Sequence, residues 1–119
     1  MLVLWAWQRH RRNRYRRQAV EALQALRSAA LSDAERIQRT NAILKRTALA
    51  AYPGAGVASL GGAEWLAFLR RTLPEDANTF SELNSDILYA PAPSPPAADV
   101  FVEAALDWAR RHRAEAGDA

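Results

Sequence analysis

The 119-residue chain has no cysteine, which excludes a disulfide framework, a thiolate nucleophile and any cysteine-based zinc site. It has two histidines, His10 inside a run of arginines and His112 near the C-terminal end. Each stands without an obvious partner, so neither makes a credible metal or catalytic site, and both are expected to play surface roles. Phosphate-binding loops are missing too. In "GAGVASLGG", Gly54 and Gly56 are followed by Ser59 where a dinucleotide fingerprint needs glycine, and no strand precedes them. Gly56 and Gly61 have P-loop spacing, but Gly62 and Ala63 occupy the positions of the Lys and Ser/Thr. The carboxylates are scattered, whereas acid–base or nucleophilic chemistry needs convergent groups. The sequence therefore points away from an enzyme, and no cofactor or metal is expected.

The length suits one small domain with a single core. Charge is unevenly distributed. Six of the 16 basic residues (Arg9, Arg11, Arg12, Arg14, Arg16, Arg17) lie in one opening run, so the remaining ten face 13 acidic residues and the body is slightly acidic. A protein that binds nucleic acid across its surface carries its positive charge on that surface.

Before the arginines stand Leu2, Val3, Leu4, Trp5 and Trp7. This apolar stretch is far shorter than the roughly 20 residues that cross a bilayer, and the basic segment of a secretory signal would precede it. Apolar residues, then tryptophan, then arginine is the order found where a membrane helix leaves the bilayer on its cytoplasmic side. Residues 1–17 are therefore read as the C-terminal edge of a membrane helix and its flank, with Leu2, Val3, Leu4, Trp5, Trp7, Arg9, Arg11 and Arg12 contacting the membrane; the stretch preceding them in the gene is expected to complete the span. The alternatives are a plain basic leader or a nucleic-acid-binding arm. In a helix the six arginines point in nearly every direction, unlike a groove-reading face, and nucleic acid is the less favoured partner.

From Tyr15, apolar positions at Ala19, Val20, Leu23, Leu26 and Ala30 predict an amphipathic first helix continuous with the arginine run. "SDAE" forms a capping box, Ser32 with Glu35, that opens a second helix. That helix carries Ile37, Asn41, Leu44, Ala48 and Ala51 on one face for about five turns, until Pro53 and Gly54. A short helical step carries Val57 and Leu60. "AEWLAFLRR" predicts a helix surrounded by protein, the centre of the core, ending at Leu73 and Pro74. Such an aromatic cluster at helical spacing is ordinarily packing; an aromatic ligand pocket at Trp65 and Phe68 is the alternative.

"FSELNSDILYAP" places Phe80, Leu83, Ile87 and Leu88 at helical steps, with Glu82 and Asp86 on a solvated face; as a cation site they lack the glycine or histidine that would accompany them. "APAPSPPAA" reads as a stiff proline-rich linker containing a formal PxxP. A last helix is expected to start at Asp99 as N-cap, with Phe101, Val102, Ala105, Trp108 and Ala109 on its apolar face and Arg110, Arg111 and Arg113 at its end. The expected fold is all-α, a small bundle of about five helices whose first helix continues from the membrane edge and arginine flank. Residues 18–113 form the domain, residues 114–119 a flexible tail, and Leu23, Leu44, Trp65, Leu69, Phe80, Ile87 and Trp108 the core.

The landmarks "NAILKRTALAAYP", "VASLGGAEWLAFL", "LYAP" and "DWARRH" resemble, in that order, those of a bacterial family of unknown function. Its members are single-pass inner-membrane proteins usually encoded beside MoxR-type AAA+ ATPases and von Willebrand factor A-domain proteins. The similarity spans nearly the whole chain, and Asn41, Leu44, Ala48, Tyr52, Pro53, Val57, Leu60, Gly62, Trp65, Leu66, Phe68 and Leu69 carry its most specific part. The resemblance implies a non-enzymatic accessory or adaptor at the inner membrane. Its cytoplasmic helical domain would dock onto a MoxR-type ATPase or a von Willebrand A-domain partner. No catalytic residues come with the resemblance.

Overall fold

A computed structural model describes residues 2–75, 77, 79–80, 83, 85–90 and 93–113, without the side chains of Trp5, Gln8 and Ser85. The expected tail, residues 114–119, lies outside the described residues, as do Glu82 and Pro91. The fold is all-helical. Four helices, α1 (Leu2–Ser28), α2 (Asp33–Ala51), α3 (Gly62–Arg71) and α4 (Pro95–Arg111), are joined by loops containing two 3₁₀ turns, Val57–Ser59 and Ser85–Leu88. No strand occurs among the described residues.

Helix α1 runs unbroken from the apolar start through the arginines into the core, where Ala19, Leu23 and Leu26 are buried and Val20 is half-buried. Ala30 lies beyond its end and is exposed. Ser32 caps α2, accepting from the Glu35 amide at 3.2 Å. The return half of the capping box differs from expectation, because the Glu35 carboxylate takes the Ser32 hydroxyl at 3.3 Å in place of the amide. Ile37, Leu44, Ala48 and Ala51 are buried along α2 as the spacing predicts, and Thr40 and Thr47 join them. Gly56, with φ of 65°, supplies the left-handed residue that opens the Val57–Ser59 turn.

The start of α4 lies earlier than the sequence predicts. It begins at Pro95, with Ser94 as N-cap accepting from Ala97 at 3.2 Å, and Asp99 lies inside it. Pro95 and Pro96 occupy first-turn positions whose amides have no helical partner, so proline loses nothing there. Half of the supposed linker is thus the start of a helix.

Of the fifth helix expected around residues 80–88, the described residues form only the 3₁₀ turn Ser85–Leu88. Arg70 donates to the carbonyls of Phe80 at 2.9 Å and Leu83 at 2.5 Å, which satisfies backbone that a helix would otherwise have paired. Asn, Ser and Asp in succession at positions 84–86 are residue types of low helix propensity. Phe80 still reaches the core.

Helices α1 and α4 run antiparallel, since Arg27 pairs with Glu103 at 2.7 Å while Arg16 reaches Ala109 and Arg110. Leu23, Leu44, Trp65, Leu69, Phe80 and Trp108 are all buried in one core, and Ile87 is half-buried against it. Cations close the open ends of the helices. Arg36 donates to the carbonyls of Leu26, Arg27, Ala29 and Leu31 at the end of α1. Lys45 holds the Val57 and Leu60 carbonyls and lies 4.6 Å over the Trp65 ring. Unpaired carbonyls and the negative end of the helix dipole favour positive groups at such sites.

Candidate functional site: the stalk of the first helix and its clamp

From residue 2 to residue 14, α1 contributes no buried residue among those described. These thirteen residues extend the helix by roughly 20 Å beyond the packed body. The protein measures 50 × 27 × 27 Å, in keeping with one projecting rod. At the start of the rod Leu2 and Val3 are 83% exposed, Leu4 57% and Trp7 56%. Arg9, Arg11 and Arg14 are exposed further along, while Arg12 is half-buried. Arg11 lies 5.6 Å from the Trp7 ring centroid. The expected membrane-contact residues are thus collected on one rigid element, apolar first and cationic after; the side chain of Trp5 is outside the described ones. No helix among the described residues is long and apolar enough to cross a membrane.

The rod is fixed at its base by Arg16. Its guanidinium donates to the carbonyls of Ala109 at 3.1 Å, Arg110 at 3.2 Å and His112, the unpaired acceptors at the end of α4. Burial pulls the Arg16 pKa below its usual value, yet arginine keeps its charge in proteins, and the helix end it faces favours a cation. One of the six arginines is therefore a structural clamp that ties the base of the rod to the end of α4.

His112 is not on the surface, contrary to expectation. It is 2% exposed and stacks on Trp108 with ring centroids 4.0 Å apart and planes within 11°. Its Nδ1–H donates to the Trp108 carbonyl at 2.7 Å, leaving Nε2 to accept from the Tyr15 hydroxyl at 3.4 Å. With Nδ1 carrying the proton, the nearby Arg16 Nη1 at 3.2 Å is a donor facing a donor, and its own hydrogens are used by the α4 carbonyls. Trp108 Nε1 donates to Thr72 Oγ1 at 2.8 Å, and Tyr52 donates to the Arg113 carbonyl. Burial raises the Tyr52 hydroxyl to about 12, so it remains a donor. The sequence carries a signal for this, since Phe101, Ala105, Trp108 and His112 fall on one α4 stripe; the surface expectation rests instead on the lack of an obvious partner in the sequence.

Burial first, then the Arg16 charge, lowers His112 from 6.5 to about 4. The folded protein therefore keeps the ring neutral between these values, while the unfolded chain takes up a proton. Stability from this group is complete above about pH 6.5 and is lost as pH falls toward 4. Urea unfolding of the wild type should lose about 2–3 kcal/mol more than His112→Phe between pH 7 and pH 4. Equal losses in the two proteins would show that His112 is not the buried neutral group described.

Trp65 and Phe68 are core residues, 1% and 2% exposed, with Trp65 Nε1 donating to Asn41 Oδ1 at 2.7 Å. The described residues contain no group of three or more His, Cys, Asp or Glu side chains placed to hold a metal ion. A family model described as a domain of unknown function, DUF4381, matches residues 1–111. No curated protein and no solved structure matches the chain.

Proposed function

The chain belongs to the DUF4381 family of domains of unknown function, and from that premise we propose that it is a non-enzymatic accessory protein held at a bacterial inner membrane. The observation that carries this reading is the single helix on which an exposed apolar tip, an arginine collar and the Arg16 clamp follow one another. An apolar tip with Trp7 below it suits the boundary between acyl chains and headgroups, and the collar suits the anionic cytoplasmic leaflet. The clamp then holds the helical domain at a fixed attitude to the surface, which is what a docking platform requires. The partners that fit the family resemblance are a MoxR-type ATPase or a von Willebrand A-domain protein, bound on the cytoplasmic side. An arm devoted to nucleic acid would keep its arginines available for phosphates, whereas Arg16 is committed to α4.

The test is recruitment. A purified MoxR-type ATPase or A-domain protein encoded beside this gene should float with anionic vesicles when this chain is present and remain in solution when it is omitted. Failure of both to be recruited would refute the adaptor role.

A further inference from the structure

We propose that the groove between α1 and α2 is the docking site for an acidic amphipathic helix of a protein partner. This rests on the accessory reading and names the chemistry of what docks. The groove has a cavity volume of about 300 Å³ and lies at the base of the rod. Its floor is made by Ala19, Ile43, Thr47 and Ala50, with Tyr15 at one end. The Thr47 hydroxyl is turned back onto the Ile43 carbonyl at 2.7 Å, so the floor offers little hydrogen bonding and small side chains allow close approach. Leu49, 45% exposed, stands one residue before Ala50 on the outer face of α2.

One arginine, Arg46, lines the groove, and helical spacing places three more a turn away from its other lining residues. Arg11 and Arg14 precede Tyr15 and Gln18 by one turn on α1, and Arg39 precedes Ile43 by one turn on α2, in line with Arg46. All four are exposed, and among the described residues none is within ion-pair distance of a carboxylate; Arg11 lies against the Trp7 ring. Among the described residues, no acidic side chain lines the groove. Glu21, the nearest acid along α1, lines a different cleft with Arg17 and Arg110. The groove between α1 and α2 thus has a largely apolar floor with arginine at its rim. From Ile43 to Ala50 it is about 11 Å long, two turns of a third helix. The complement is a helix with an Ala/Leu stripe flanked by Glu or Asp, the helix-in-groove mode of recognition.

The probe is a fluorescein-labelled helical peptide of about four turns, with Leu and Ala along one stripe and Glu on both flanks, titrated against the full chain by anisotropy. A scrambled peptide of the same composition is the control. The wild type should bind the patterned peptide at least about tenfold tighter than the scrambled one. Arg39→Glu with Arg46→Glu should lose at least about tenfold, and a peptide with Lys in place of Glu should restore binding to that variant. Ala50→Trp, which fills the floor and keeps every charge, should lose as much. Arg17→Glu with Arg110→Glu, in the other cleft, should change binding less than about twofold.

Three results would overturn the proposal: no preference over the scrambled peptide, equal loss from the Arg17/Arg110 variant, or loss of vesicle binding by the Arg39/Arg46 variant as large as its loss of peptide binding. The last would make the groove part of the membrane-facing surface. Peptide failure with recruitment to vesicles intact would refute the groove alone. Peptide binding with no recruitment would refute the adaptor reading alone.

Discussion

Trp65→Ala should lower the unfolding free energy by about 3–5 kcal/mol, a large part of what a domain of this size possesses. Trp65 is 1% exposed and stacks on Phe68 with centroids 5.8 Å apart. The indole also engages two polar groups. Its Nε1–H donates to Asn41 Oδ1 at 2.7 Å, and its face receives the Lys45 ammonium at 4.6 Å. Truncation therefore leaves a cavity and an amide without its donor, and removes the surface over which Lys45 reaches the Val57–Ser59 turn. Trp65→Phe should retain much of the volume but still lose the Asn41 hydrogen bond, costing about 1–3 kcal/mol. Urea unfolding followed by circular dichroism measures both. An unchanged midpoint for Trp65→Ala would show that α3 is not the centre of the core.

Much of the fold was legible because helical spacing reports burial directly. Leu23, Leu44, Trp65, Leu69 and Trp108 sit at positions where only an inward side chain satisfies the period, and Ser32 announced the start of α2 by its capping chemistry. The failures have separate physical causes. Thr47 is a polar residue type, yet its hydroxyl turns back onto the Ile43 carbonyl of its own helix and the residue is buried. Pro95 and Pro96 looked like a linker because proline breaks helices in general, although it is accommodated in a first turn.

Residues 80–88 have helical spacing, but Arg70, ten residues earlier than Phe80, captures the carbonyls of Phe80 and Leu83. Periodicity is local and does not register such competition. The clamp is the extreme case. Arg16 and His112 are 96 residues apart in sequence, and each alone looked like an ordinary charged surface residue. Of the rod, the sequence disclosed the order of apolar tip and arginines. It did not disclose that one arginine holds the rod to α4, nor that α1 and α2 leave an arginine-rimmed groove at its base.

Removing residues 2–7 while keeping every arginine should abolish most of the salt-resistant binding to membranes. Two components act at the tip. Each arginine near an anionic surface adds on the order of 1 kcal/mol at low salt, and that attraction fades as the screening length falls to about 3 Å at 1 M salt. Leu2, Val3, Leu4 and Trp7 add apolar area whose transfer out of water is worth roughly 25 cal/mol per Å² and does not weaken with salt. The truncation leaves Arg16 and the core untouched, so the domain stays folded and circular dichroism should show only the loss of the tip.

The most direct test of the membrane-edge account is flotation of the full chain and of this truncated variant with anionic phospholipid vesicles, at low salt and at about 1 M salt. The account predicts that both float at low salt, and that at high salt the full chain still floats while the truncated variant is weakened at least about tenfold relative to it. Equal flotation of the two at high salt, or release of both together as salt rises, would contradict it, because the exposed apolar tip of α1 would then have no part in holding the protein to the bilayer.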